Sequence, residues 1–379
     1  MHLRAIDLSV LIVYLAGMLV VGWRLAGRQK TTEDYFLAGR NMPWLAVGMS
    51  MFASVTSAVT FMGLPGRAYG ENISLIVVCL VSPLLVPFLL RIFYPLYQRL
   101  NVTTSYEYID HRFGQTARFC TSGLFILARL GWMGTVVYAP ALALSVATGL
   151  PQWQTILLMG VLATVYTVLG GMTAVIWTDV AQFVIMTLGG ALVAVTLVSG
   201  VPGGLSGILS AARDNGNLHI GSLRPSLFEM SALIVAFTFF FQMMQDYGTD
   251  QVTVQRLMST RGRHGVFKAI IFNACTDFVV IALLLFIGIG LFAFYHANPA
   301  LLDGSIGGDG ILPYYIVRRL PGGVAGLLLA AIFAAAMSSM DSGINSLSAV
   351  VTTDFVRRLR KGPIDERRAV RLARLLTLA

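Results

Sequence analysis

Nine long apolar segments recur along the chain, at residues 6–26, 42–66, 73–96, 117–146, 153–170, 173–198, 230–241, 266–295 and 324–351. Most exceed the roughly 20 residues that a helix needs to cross about 30 Å of hydrocarbon. The segment at 230–241 is the shortest, because polar residues enter after Phe241. A chain that is 56% hydrophobic and 12% charged, with mean hydropathy +0.75, lies far from the composition of a soluble domain. It reads as an all-α polytopic membrane protein with nine spans and no soluble domain, and the lipid bilayer is its first partner.

Basic residues orient the spans, because positively charged connections stay on the cytoplasmic side. Of the 27 lysines and arginines, twenty fall on one set of alternate connections, six on the other, and one, Arg129, within a span. This predicts an N-terminus outside and the connection after the ninth span inside, in the plasma or inner membrane. The net charge of +9 follows from that topology and does not point to nucleic acid. Cys79, Cys120 and Cys275 form an odd set without paired spacing, and the five histidines fall in or near connections. Neither a disulfide framework nor a zinc motif is indicated. The first segment is long for a signal sequence, lacks a small-residue cleavage site and is needed for the charge alternation, so it is kept as a span.

Two spans carry residues that hydrocarbon does not favour. In MSMFASVTSAVTFMGLPGRAYG (residues 49–70), Ser50, Ser54, Thr56, Ser57 and Thr60 interrupt an apolar run that ends in Gly63, Pro65 and Gly66. Hydroxyls can bond back to their own helix. A cluster of them favours an unwound segment instead, whose free carbonyls suit a small cation. In FAAAMSSMDSGINSLSAV (333–350), winding at about 100° per residue puts Ala335, Ser338, Ser339, Asp341, Ser342, Asn345 and Ser346 on one stripe, with Met337, Met340, Ile344 and Leu347 opposite. Packing of small residues accounts for the serines but not for Asp341. An intramembrane acid costs about 2.5 to 3.5 kcal/mol, and it faces a cavity, an ion path or a partner.

Other intramembrane charges are open to more than one reading. Asp179, two turns into its span, either joins such a site or snorkels to the cytoplasm. Arg129 either pairs with an acid or faces an anionic solute. Asp277, in NACTDFVV, has no comparable surroundings and reads as structural.

DYFLAGR, SAVTFMGLPGRAYG, VVYAPALALSVATGL, GGMTAVIWTDVAQ, TDQVTVQR and AAAMSSMDSGINS, in this order from residue 34 to the end, resemble the sodium/solute symporters. Members of that family carry sugars, proline, sialic acid, iodide, monocarboxylates and vitamins. SAVTFM leans towards the sialic-acid branch and VVYAPALALSVATGL also towards the iodide, monocarboxylate and vitamin branch. The resemblance implies a LeuT-type bundle in which two inverted five-helix repeats surround a midplane site. The chain would then be one transporter domain, residues 1–379. An extra helix at about 6–26 comes first, followed by a first repeat at about 42–200 and an incomplete second repeat at about 229–379. LARLLTLA at the end reads as the start of a tenth span, so the expectation is a bundle cut after its eighth core helix and inactive in this form.

The resemblance also implies a sodium-coupled secondary active symporter that imports a small organic solute by alternating access, with the reading leaning to an anion. Sodium would be its coupling ion. The main sodium site falls on the carbonyls of Ala53, Thr56 and Ala335 and the hydroxyls of Ser338 and Ser339. A second cation site would use Asp179, Asp341 and Ser342, although relatives often have a hydroxyl where this chain has Asp341. The solute would meet Ser57, Thr60, Cys79, Trp132, Gln242 and Asp246. Trp132 stands where sialic-acid carriers have an arginine for the substrate carboxylate, with Arg129 one turn earlier. The alternative is a sensor or input module that keeps this fold without transport. An intramembrane aspartyl protease could use Asp179 and Asp341, but its glycine-flanked aspartate motif is absent from the spans, so no enzyme is expected. Solute identity, stoichiometry and oligomeric state are not set by the sequence.

Overall fold

The computed structural model describes residues 4–27, 29–100, 102–222, 231–304, 306–359 and 365–378, with the side chains of 139, 143, 144 and 146–148 left out. Arg28, Arg224, Arg360 and Lys361, which enter the charge count, and Met230, which opens the seventh apolar segment, lie outside the described residues. The described chain is helical, with one isolated parallel bridge between Met42 and Thr260.

Helix α1 (Ala5–Leu25) leads through α2 (Thr32–Leu37) to a bent pair, α3 (Trp44–Val55) and α4 (Ala58–Gly70). Helix α5 (Val77–Phe88) carries Pro83 and Pro87 and passes through a π turn into α6 (Tyr94–Leu100). A proline removes a ladder donor, and the wider turn re-pairs the chain after it. The amphipathic α7 (Tyr106–Phe113) turns at Gly114 into α8 (Gln115–Thr148), followed by α9 (Gln152–Gly200), α10 (Gly204–Asp214), α11 (Ala232–Gly248), α12 (Gln251–Ser259) and α13 (Gly262–Ala297). Helix α14 (Ile311–Arg319) precedes α15 (Val324–Val350), which winds on through a π turn into α16 (Arg357–Leu359); α17 (Glu366–Leu378) comes last.

Six of these helices are long and apolar enough to cross a membrane, and the α3–α4 pair, bent by 64°, supplies a seventh span. Helix α9 has 49 residues, about 74 Å at 1.5 Å per residue, and it breaks at Gly171 (φ 56, ψ −152). Its two halves match the segments at 153–170 and 173–198. Helix α11 (Ala232–Gly248) matches the seventh segment and corrects the sequence reading of its end. It does not stop at Phe241 but continues to Gly248, because Gln242, Gln245 and Asp246 line a cavity rather than meeting lipid. The tail residues 366–378 are helical. They form α17, which buries Val370, Ala373 and Thr377, with Tyr35 Oη 3.0 Å from Thr377 Oγ1 and Ser348 Oγ donating to the Ala373 carbonyl (2.9 Å).

Helix α15 is the axis of the bundle. Within its most apolar 18 residues 89% are buried, against 28% for α1. Its N-terminus is capped from another helix: Asp7 Oδ1 accepts the backbone N–H groups of Gly323 (2.7 Å) and Gly326 (2.8 Å). The first amides of a helix have no intrahelical partner, and a buried carboxylate there satisfies them while meeting the positive end of the helix dipole. Small residues let the helices approach. A Cβ at Gly326 would lie 2.6 Å from the Asp7 backbone, and one at Gly288 of α13 would lie 2.5 Å from the Pro65 carbonyl of α4.

The break in α9 generates the first prediction. Gly171 has positive φ with ψ near −150°, a region open essentially to glycine alone, and a Cβ there would sit 2.6 Å from the Tyr35 carbonyl. Gly171→Ala is expected to destabilise the protein by about 1–3 kcal/mol or more, seen as a lower melting temperature of the purified protein in detergent. An unchanged melting temperature would mean that the break does not depend on glycine.

Candidate functional site

The site begins where α3 stops. Its last backbone bond joins the Thr56 N–H to the Phe52 carbonyl (2.9 Å). Ser57 then adopts extended backbone and caps α4, its Oγ accepting the Thr60 N–H at 3.3 Å. Hydroxyl residues are strong N-caps, so VTSAVT contains both the stop and the restart. The carbonyls at the end of α3 are left without helical partners, and α15 meets them. Ser338 Oγ lies 2.8 Å from the Ala53 carbonyl and 3.2 Å from that of Ala335; Ser339 Oγ lies 3.3 Å from the carbonyls of Ser54 and Ala335. Each hydroxyl has one hydrogen to give, so this corner holds more acceptors than donors. Thr56 borders it at the break and also lines the adjoining cavity.

One turn along α15, a second cluster is charged. The Asp179 Oδ2 of α9 accepts Ser50 Oγ (2.5 Å) and Arg256 Nη2 (2.8 Å). Arg256 of α12 also donates from Nε to Ser50 Oγ (2.8 Å), from Nη1 to the Val252 carbonyl (3.0 Å) and from Nη2 to Ser342 Oγ. Asp341 stands beside this pair, taking Tyr166 Oη at 2.6 Å on Oδ2 and Ser342 Oγ at 3.1 Å on Oδ1. Asp179 and Asp341 are fully buried and Arg256 is 1% exposed. Two acids therefore face one guanidinium. Asp179 Oδ1 and both polar atoms of the Gln182 side chain have no hydrogen-bond partner among the described residues.

Alongside lies a cavity of about 710 Å³ between α4, α5, α8, α11 and α13. Thr60, Arg129, Trp132, Gln242 and Asp246, all expected at the solute, line it. Ser57 and Cys79 do not: Ser57 serves as the α4 cap and Cys79 is buried behind Val78. Arg129 is engaged, its Nη2 lying 2.7 Å from each carboxylate oxygen of Asp250. Of its two sequence readings, pairing with an acid is the one the structure adopts. Phe125, Arg129 and Trp132 share one face of α8 at helical spacing, and the guanidinium lies 5.6 Å over the Phe125 ring.

The fold of broken helices around hydroxyl-lined carbonyls defines an ion-coupled membrane transporter, and comparison with known proteins gives the class. The model of the sodium:solute symporter family matches residues 35–379. The chain is 35% identical over 369 residues to the sodium/sialic acid symporter NanT of Aliivibrio fischeri, covering 97% of this chain and 73% of that one. It is 33% identical over 374 residues to the sodium/sialic acid symporter SiaT of Proteus mirabilis, covering 98% and 75%. A solved structure of a Na+-coupled sialic acid symporter, substrate-bound and outward-open, superposes with TM-score 0.96 at 33% identity, over 99% of this chain and 80% of that one.

The chain belongs to the sodium:solute symporter family. Its bundle is LeuT-type, and its activity is sodium-coupled transport of a small organic solute rather than enzymatic chemistry.

Three site residues escaped the sequence reading. Arg256 was counted among cytoplasmic charges, yet it is the buried partner of Asp179; Asp250 was not singled out, yet it holds Arg129. Both stand in TDQVTVQR, where an acid and an arginine six residues apart open and end one short helix. Asp277, read as structural, lines the cavity, and Asn273 one turn earlier was the signal for it.

Removing one member of a buried pair strands a charge and costs about 3–5 kcal/mol. Asp179→Asn and Arg256→Gln are each expected to lose stability of this order, and the double variant to lose less than the sum. Simple additivity of the two melting-temperature losses would show that the pair is not coupled.

Proposed function

We propose that sodium binds at the oxygens of Ala53, Thr56, Ala335, Ser338 and Ser339, and that the solute occupies the cavity bordered by the same break. The observation that carries this is the sharing of residues: Ser54 and Thr56 belong to the cavity wall, while the Ser54 carbonyl also meets Ser339 of α15. A monovalent cation joining α3 and α4 to α15 would fix the 64° bend, and the bend shapes the cavity. Sodium then raises solute affinity, and solute raises sodium affinity by the same factor. Neutral oxygens without a formal carboxylate suit an ion that must also leave.

Asp179, Asp341 and Ser342 constitute a second cation site in this reading. Arg256 holds Asp179 and Ser342 in the present arrangement, so a second sodium binds by exchange with the guanidinium, drawing on the unpartnered Asp179 Oδ1 and the Gln182 carbonyl. The excess of one acid over the guanidinium supplies the charge. The extra helix α1, a first repeat at about 42–200 and a second from about 229 form one transporter domain. The basic-residue asymmetry sets the N-terminus outside, in the cell membrane.

Sodium-driven uptake by proteoliposomes tests the assignment. Ser338→Ala and Ser339→Ala each remove one ligand worth about 1 kcal/mol, which raises the half-saturating sodium concentration about fivefold; an unchanged sodium dependence in both removes them from the site. For the second site, a Hill coefficient above one is expected, falling towards one in Asp341→Asn. A wild-type coefficient of one would dispose of the second sodium.

A further inference from the structure

The cavity wall carries three carboxylates, Asp246, Asp250 and Asp277, and Arg129 is the single basic side chain among its described lining residues. Arg129 and Asp250 neutralise each other through the two 2.7 Å contacts. That leaves two acids. Asp246 has no ion pair or hydrogen bond among the described residues. Asp277 is 3% exposed, and its Oδ2 takes every hydrogen bond described for it, from Ser82 Oγ (2.8 Å), Tyr247 Oη (2.9 Å) and Asn273 Nδ2 (3.1 Å). All three donors are neutral, Oδ1 receives none of them, and the neighbouring Asn273 Oδ1 is a buried acceptor without a partner. Tyr247 follows Asp246 in the chain, so the hydroxyl that orients Asp277 sits next to the second acid.

A buried carboxylate is tolerated when a cation reaches it, and a wall with net negative charge in a low-dielectric space concentrates cations and excludes anions. We infer that the transported solute carries a protonated amine and that Asp277 is the group that receives it. An ammonium offers three donors and no acceptor. Asp277 and Asp246, both on the cavity wall, offer acceptors alone. The exposed face of Trp132, on the opposite wall, suits the apolar or ring portion of such a solute. The cost of burying Asp277 is offset when the solute arrives, so recognition depends on charge rather than on shape alone. This inference rests on the cavity being the solute site. It also parts from the anionic solute expected of Arg129, because the guanidinium that would have received a carboxylate already holds one.

The test is sodium-driven uptake by proteoliposomes of three pools of small radiolabelled solutes: primary amines, neutral sugars and polyols, and carboxylates. Uptake is expected from the amine pool. It should fall about tenfold or more in Asp277→Asn, the loss of one charge-assisted bond, and recover in part in Asp277→Glu, with the melting temperature of both variants near that of the parent. Uptake confined to the neutral or carboxylate pool, uptake from no pool, or amine uptake indifferent to Asp277→Asn overturns the proposal. Thr60→Trp, which fills the cavity, separates the two levels. If it blocks uptake of a solute that is not an amine, the cavity stands and the amine assignment falls; if it blocks nothing, the cavity assignment falls as well.

Discussion

The bundle depends on one unsatisfied stretch of backbone. Where α3 ends, carbonyls at membrane depth lose their helical partners, and hydrocarbon supplies none. Ser338 and Ser339 answer two of them from α15, which ties the broken helix to the most buried of the membrane-length helices described. The same shortage of donors makes the corner receptive to a cation. In the proposed reading, structure and ion coupling share a cause: a helix that continued through Thr56 would need neither the serines nor the ion.

The buried acids show how differently one charge can be accommodated. Asp7 is absorbed by the amides at the start of α15. Asp354, in the π turn that continues the same helix, is held by Arg118 (2.5 Å), Ser122 (2.6 Å) and Thr104 (2.8 Å), clamping the start of α8 and the α7 segment to α15. Asp179 is matched by Arg256. In the arrangement described, the protein itself supplies the compensating group for all three. Asp341 and Asp277 are different. Their partners are hydroxyls, joined at Asp277 by an amide, which orient a carboxylate without cancelling its charge. Acids left in that condition are the ones to which the proposals above assign a cation or an ammonium.

The two clusters are joined by contiguous contacts. Ser342, which touches Arg256, lies one turn from Ser338, which touches Ala53. Arg256 ends on the short helix α12, whose last residues pair with Met42 at the entrance of α3. Under the cation exchange proposed at Asp179, contiguous packed elements would link that change to both ends of the broken helix.

Local pattern made much of this legible. The lengths of the apolar segments defined the spans, the hydroxyls of VTSAVT marked the break, and the helical period of 333–350 put its polar residues on one face; each is a property of neighbours along the chain. Tertiary structure decided the electrostatics. Arg256 lies 77 residues from Asp179, and Asp250 lies 121 from Arg129. An intramembrane charge changes meaning entirely with its partner, because in a low dielectric the cost of an unpaired ion exceeds any local preference. The sequence pattern therefore determined a polytopic bundle with a polar seam, and its resemblance to the sodium/solute symporters implied the coupling ion. Which acids the protein neutralises itself, and which it leaves facing the cavity, was decided only where distant helices cross.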